Sequence, residues 1–198
     1  MRIISGSFKG RKILQPKDKL TRPLKDLTKE SIFNLINHSN KINLDFKNSI
    51  VLDLFSGVGS FGIECLSRGA KHVVFFENYY GVLPILKKNL KSLKNVENFK
   101  IFENDIYAKD AFLNLGNKFN IIFLDPPYKD KNLVSLLTKL KNSDIIDQDG
   151  IIILHRHKNE EIDLSNNYKI IEERKYGISK ILFFSLVWVE HHYNFQQK

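Results

Sequence analysis

The chain has 198 residues, 42% hydrophobic and 27% charged, with 31 Lys and Arg against 22 Asp and Glu and a formal net charge of +9, which is the make-up of one globular domain and excludes a disordered or fibrous chain. Cys65 is the only cysteine, so a disulfide framework and a cysteine zinc knuckle are excluded. The longest apolar runs, such as residues 121–124 and 151–154, fall far short of the ~20 residues a bilayer span requires, and Met1-Arg2-Ile3-Ile4-Ser5 leads into no signal-peptide core, so the expected compartment is cytoplasm.

In chain order, residues 2–4 and 12–14 read as two short strands around the turn-rich Ser5-Gly6-Ser7-Phe8-Lys9-Gly10, a small hairpin. Residues 1–30 carry nine basic side chains (Arg2, Lys9, Arg11, Lys12, Lys17, Lys19, Arg22, Lys25 and Lys29) against three acids. Such a segment suits a nucleic-acid phosphate backbone, where each neutralised phosphate releases counterions; a solvated basic surface is the plainer alternative. Pro16 and Pro23 bracket a linker, and a helix follows over 24–38, with Asp26 and Thr28 in its first turn and Ile32, Phe33 and Ile36 on one side.

From residue 50 short apolar runs alternate with helical stretches. Strands are predicted at 50–54, 72–77, 99–102, 120–124, 150–154, 170–172 and 180–187, and helices at 60–67, 82–94, 107–115 and 133–141. In the 82–94 helix Val82, Leu86, Leu90 and Leu93 share one face while Lys87, Lys88, Lys91 and Lys94 take the other. This βαβ alternation predicts an α/β fold, a mostly parallel sheet with helices on both faces and ligands bound beyond the carboxyl ends of the strands.

The residues after each predicted strand are therefore the candidates for chemistry. Asp53-Leu54-Phe55 opens into Ser56-Gly57-Val58-Gly59-Ser60-Phe61-Gly62, whose glycine spacing matches the dinucleotide fingerprint, and Glu77 lies 20 residues after Gly57. A dinucleotide and S-adenosylmethionine both fit such a turn. Asp53 favours the second, because a carboxylate there repels a pyrophosphate and attracts an ammonium or sulfonium; its alternative role is to cap the glycine turn through backbone N–H groups. Glu77 could hold a ribose diol in either ligand. After the third strand Asp105 could accept an adenine amine and Ile106 pack on the ring, or Asp105 could be an Asx cap.

The most specific signal is Asp125-Pro126-Pro127-Tyr128, directly after the fourth predicted strand. Two prolines supply no N–H and hold an extended backbone, leaving carbonyl acceptors at the strand end. Acceptors there suit an exocyclic base amine: with N–H bonds taken by Asp125 and the Pro126 carbonyl, the nitrogen loses ring conjugation and frees its lone pair. Attack on a sulfonium methyl then needs chiefly alignment, worth ~7–11 kcal/mol. No metal is required, and Tyr128 would stack on the base. The alternative is a rigid Pro-Pro turn closing the strand.

These residues resemble the S-adenosylmethionine-dependent amino-methyltransferases, and more narrowly the RsmD-type 16S rRNA (guanine-N2)-methyltransferase family. The resemblance runs from Arg2-Ile3-Ile4-Ser5-Gly6 and Gly10-Arg11-Lys12 through Arg22-Pro23, Lys29-Glu30-Ser31-Ile32-Phe33-Asn34, the Asp53 to Gly59 block and Leu66-Ser67-Arg68-Gly69-Ala70 to Tyr176-Gly177. It implies a Rossmann-like methyltransferase fold over residues 24–198 with an N-terminal β-hairpin extension over 1–23, acting as a monomer on a guanine in small-subunit rRNA. It implies cofactor contacts at Asp53, Phe55, Gly57, Gly59, Glu77, Asp105 and Ile106, a catalytic motif of Asp125, Pro126, Pro127 and Tyr128, and RNA contacts at Arg2, Lys9, Arg11, Lys12 and Arg22, the last at an RNA phosphate or the cofactor carboxylate. Leu24 departs from the family's usual hydroxyl residue after Arg-Pro, and Asn78 from its frequent second acid after Glu77.

Remaining features receive plainer readings. His155-Arg156-His157 and His191-His192 lack neighbouring metal ligands at suitable spacing, so a solvated basic strand end is expected for the first, with Arg156 and His157 open to RNA. Cys65 is expected to be a small buried side chain, and Trp188 core or edge packing. The rival functions are a DNA adenine-N6 methyltransferase, a nicotinamide-dependent oxidoreductase on the same glycine turn, and a non-catalytic RNA-binding assembly factor.

Overall fold

The structure, a computed structural model, describes residues 1–16, 24–42, 44–164 and 167–188. Helix α1 (Asp26–His38) and a 3-10 turn at Phe46–Asn48 precede an alternation of β1 (Ile50–Leu54), α2 (Ser60–Ser67), β2 (His72–Phe76), α3 (Leu83–Ser92), β3 (Phe99–Phe102), β4 (Phe119–Leu124), α4 (Leu133–Asn142) and β5 (Ile146–His157), closed by β6 (Tyr168–Tyr176) and β7 (Ser179–Leu186). The seven strands form one sheet in the order β3-β2-β1-β4-β5-β7-β6. The first five pair in parallel, and β7 and β6 add an antiparallel edge. The chain runs outward from β1 to β3 and then returns to β4 on the other side of β1, so the crevice for ligands lies at the carboxyl ends of β1 and β4. Among the described residues no helix is long and apolar enough to cross a membrane.

Alternation along the central strands builds two cores. Val51, Val73, Phe75, Ile121, Phe123 and Ile153 face α1, α2 and α3, while Leu52, Leu54, Val74, Ile122, Leu124 and Ile152 face α4 and the 106–115 segment. The amphipathic face of α3 is buried as its spacing predicts, at Val82, Leu86, Leu90 and Leu93. Phe61, in the first turn of α2, stacks on Phe123 with ring centroids 4.0 Å apart, which fixes the helix start over the end of β4. Cys65 is fully buried in this core, and burial pushes its thiol well above the ordinary range.

Two local expectations change. The predicted helix at 107–115 is a run of turns, with Ala108 N–H bonded to the Asp105 carbonyl, Ala111 to Ala108 and Leu113 to Asp110. The Lys139 ammonium from α4 bonds the carbonyls of Ile106 and Ala108, which a helix would have engaged in its own ladder. The two N-terminal strands shorten to one antiparallel bridge, Arg2 to Lys12, but the hairpin closes as expected, with Ile3 N–H bonded to the Arg11 carbonyl, Gly10 N–H to the Ile3 carbonyl and Ile13 N–H to the Met1 carbonyl. It docks on the body of the protein through its remaining backbone groups.

That docking centres on two buried charges. Lys29 of α1 and Glu64 of α2 are both fully buried, with Lys29 Nζ 3.5 Å from Glu64 Oε2. The Glu64 carboxylate accepts the N–H groups of Ile4 at 2.8 Å and Ser5 at 2.9 Å, and Lys29 Nζ donates to the Arg2 carbonyl at 2.8 Å. Gly6 adopts φ +83°, and a Cβ there would lie 1.8 Å from the Ser67 carbonyl oxygen, so only glycine lets this turn close on the end of α2. Asn89 of α3 bonds both backbone groups of Leu14 and, through Nδ2, the Val58 carbonyl in the glycine turn. Lys29, counted with the basic surface by composition, is thus a buried structural cation and leaves the set available to RNA.

Candidate active site

β1 delivers Asp53 to the start of the glycine turn, fully buried, with Oδ2 accepting the Gly62 N–H at 2.9 Å. Burial pushes its carboxyl up to about 8; the Gly62 N–H opposes the rise, and Asp125 and Glu77 add to it. Asp53 thus caps the glycine turn, one of the two roles the sequence offered for it. Glu77, just beyond β2, accepts the Gly57 N–H at 2.7 Å on one oxygen and the Tyr79 N–H at 2.8 Å on the other, which leaves further lone pairs on both oxygens. Gly57 and Gly59 take φ +55° and +83°, and the space a Cβ would fill at Gly57 is open. A side chain at Gly62 would collide with Phe75 at 2.3 Å, so the third glycine of the fingerprint permits close packing of α2 on the sheet.

Beyond β3, Asp105 Oδ1 accepts the Tyr107 N–H at 2.9 Å, an Asx turn, and Ile106 is buried. Tyr107, expected as a helical residue, instead projects between loops: its hydroxyl donates to Asp130 Oδ2 at 2.5 Å, and its ring lies 6.2 Å from that of Phe55. The loops after β1, β3 and β4 are thereby joined by aromatic and polar contacts.

Beyond β4, the Asp125 motif is held by neighbours that composition alone had placed in solvent. The β4–β5 register pairs Leu124 with Leu154, so the residues that follow, Asp125 and His155, stand side by side. His155 Nδ1 lies 2.8 Å from Asp125 Oδ1. Arg156 is 3% exposed; its guanidinium donates to the carbonyls of Pro126 at 3.2 Å, Pro127 at 2.8 Å, Tyr128 at 3.3 Å and Asp130 at 3.3 Å, and pairs with Glu160 at 2.5 Å. His155 and Arg156 are thus buried supports of the motif, which corrects the expectation of a solvated strand end and of Arg156 at RNA. The predicted strand ended at residue 154, whereas β5 continues to residue 157 and carries both side chains into the sheet. The Pro126 carbonyl, expected to await a base amine, already accepts one bond from Arg156 and retains one lone pair. The Tyr128 ring is met edge-on by His155 and His157, at 6.3 and 5.6 Å between centroids.

Of the basic candidates, Arg2, Lys9 and Lys12 are exposed, and Arg11 lies over the Phe8 ring at 5.0 Å while bonding the Ser92 carbonyl at the end of α3. Arg22 and the His191-His192 pair lie outside the described residues. Trp188 is 46% exposed and donates to the Gln148 carbonyl at 3.0 Å, an edge contact. No group of three or more potential metal ligands converges among the described residues.

The strand-end residues fit S-adenosylmethionine. Gly57 leaves an open approach to its backbone, the Ser60 hydroxyl is buried in the same turn with no hydrogen bond among the described residues, and Asp53 is a desolvated carboxylate that a cation would stabilise. Because the fold raises the Asp53 pKa to about 8, the folded chain binds more protons than the unfolded one from near pH 4 to about 8, and this group's contribution to stability falls as pH rises through that window. A cofactor cation beside it would oppose the shift. Binding near neutral pH is expected to release a fraction of a proton and to tighten as pH rises toward 8; calorimetry in buffers of different ionisation enthalpy measures that release, and a buffer-independent heat would contradict it.

Comparison with known proteins places this geometry in context. The family profile described as "Conserved hypothetical protein 95" matches residues 1–185. The chain is 34% identical to YlbH of Bacillus subtilis over 186 residues, covering 93% of this chain and 98% of that protein. It is 30% identical to "Ribosomal RNA small subunit methyltransferase D" of Haemophilus influenzae over 181 residues, 90% of each chain. Among solved structures, yhhF of Escherichia coli superimposes with a TM-score of 0.76 at 26% identity, covering 94% of this chain and 97% of the other.

Proposed function

This chain belongs to the family described as Conserved hypothetical protein 95, and from that premise we propose that it transfers a methyl group from S-adenosylmethionine to the exocyclic N2 of a guanine in 16S rRNA of the small ribosomal subunit. When bound, the cofactor supplies a methyl carbon activated by its sulfonium. Asp53 meets cofactor cation charge, Glu77 takes the ribose diol, and Asp105 accepts the adenine amine with Ile106 and Phe55 flanking the ring. Gly57 and Gly59 let the backbone close on the ligand.

The observation that carries this reading is the position of Asp125-Pro126-Pro127-Tyr128 at the carboxyl end of β4, beside the glycine turn that ends β1. Asp125 accepts one N–H of the guanine amine and the free lone pair of the Pro126 carbonyl accepts the other. Attack of the nitrogen lone pair on the methyl carbon would break the carbon–sulfur bond, its electron pair staying on sulfur as a neutral thioether; the nitrogen becomes cationic, and Asp125 takes the proton it sheds. Pro127 keeps the loop extended, and Tyr128 stacks on a base drawn out of its helix, worth about 1–3 kcal/mol. Residues 1–23 form the RNA-contact extension and residues 24–198 the methyl-transfer domain, working as a monomer on the cytoplasmic ribosomal subunit or its assembly intermediate.

Incubation with methyl-labelled S-adenosylmethionine and unmodified small subunits tests the proposal, with label expected in 16S rRNA and its absence rejecting the assignment. The extension is tested separately. Lys9→Ala and Lys12→Ala are each expected to weaken RNA binding and to lower the slope of log affinity against log salt by about 1, with kcat at saturating RNA unchanged. An unaltered salt slope in both would remove the extension from the RNA interface.

A further inference from the structure

We propose that His155 is the positioning residue of Asp125, fixing which carboxylate oxygen faces the base amine; this rests on the methyl-transfer reading above. Asp125 Oδ1 and His155 Nδ1 are 2.8 Å apart, with the two side chains 20% and 7% exposed. On the far side of the ring, Nε2 is 2.9 Å from Ser179 Oγ on β7, itself buried. An ionised carboxylate can only accept, so Nδ1 carries the ring proton, and in the neutral ring Nε2 accepts from the Ser179 hydroxyl.

The chain Ser179–His155–Asp125 therefore has one direction of donation. It occupies Oδ1 and leaves Oδ2, which makes no hydrogen bond among the described residues, as the acceptor for substrate. Adjacent residues of β5 divide the support of the motif. Arg156 fixes the backbone carbonyls of residues 126–130, and His155 fixes the side chain whose orientation decides the alignment of the amine. An error of an ångström in such alignment costs on the order of 100-fold in rate.

His155→Leu is accordingly expected to lower kcat by about 100-fold with the KM values for RNA and S-adenosylmethionine nearly unchanged. His155→Asn, whose amide presents an N–H near the Nδ1 position, recovers a substantial part of that loss. Ser179→Ala, which leaves the imidazole in place, lowers kcat by a smaller factor and keeps the question decidable if the leucine variant does not fold. Independently of turnover, nitrogen NMR of the imidazole is expected to show the Nδ1-protonated tautomer in the wild-type protein and a mixture in Asp125→Ala. A folded His155→Leu protein with wild-type kcat, or an Nε2-protonated ring in the wild type, overturns the proposal while leaving the methyltransferase assignment intact. Absence of methyl transfer by the wild type overturns that assignment, and the tautomer then decides the pairing alone.

Discussion

Asp125→Ala is expected to reduce methyl transfer by about 10²–10⁴-fold while leaving S-adenosylmethionine affinity nearly unchanged. The carboxylate sits at the end of β4 with one oxygen engaged by His155 and is the only carboxylate of the 125–128 motif. In the proposed reaction its removal takes away both an acceptor for the amine and the base for the departing proton. The cofactor contacts assigned to Asp53, Glu77 and the glycine turn use their own backbone partners, and Asp125 reaches them only through a repulsion on Asp53 that is secondary to burial. Single-turnover kinetics together with cofactor calorimetry separates the two effects. Parallel loss of affinity and rate would mean that Asp125 is part of the cofactor site.

Glu64→Leu is expected to destabilise the fold by about 3–5 kcal/mol, the usual consequence of leaving one member of a buried ion pair behind. Desolvation already lowers the Lys29 pKa, an effect opposed mainly by Glu64. Without that carboxylate the buried amine has, among the described residues, only Asp26, 3.9 Å away and partly exposed, as a counter-charge. The N–H groups of Ile4 and Ser5 lose their acceptor at the same time. For a chain of this size the loss corresponds to a fall in Tm of roughly 10 °C. The amides of Ile4 and Ser5 should also lose hydrogen-exchange protection ahead of the sheet. Lys29→Met is the milder change, because Glu64 keeps Arg68 at 3.0 Å and both backbone donors. Equal thermal stability of wild type and Glu64→Leu would show that the pair does not anchor the N-terminal segment.

The features legible in the sequence were those governed by local periodicity. The apolar runs placed the strands of the parallel sheet, the spacing of Val82, Leu86, Leu90 and Leu93 placed α3, and the glycine and Pro-Pro signatures fell at neighbouring strand ends as expected. What escaped depends on partners distant in the chain. The 107–115 segment has helical spacing, yet Lys139, far along in α4, takes the carbonyls of Ile106 and Ala108 at its start. Lys29 counted as surface charge until α1 and α2 brought it against Glu64. His155-Arg156-His157 reads as a basic strand end, and only the pairing of Leu124 with Leu154 sets His155 beside Asp125. Composition records how many charges a chain has; sheet register decides which of them meet.

The identity of the methylated nucleoside is the most direct test of the proposed reaction. Digestion of small-subunit RNA after reaction with labelled S-adenosylmethionine, followed by mass spectrometry, is expected to find the label in N2-methylguanosine. Label in another nucleoside, N6-methyladenosine above all, would contradict the claim that the Asp125 corner receives a guanine amine.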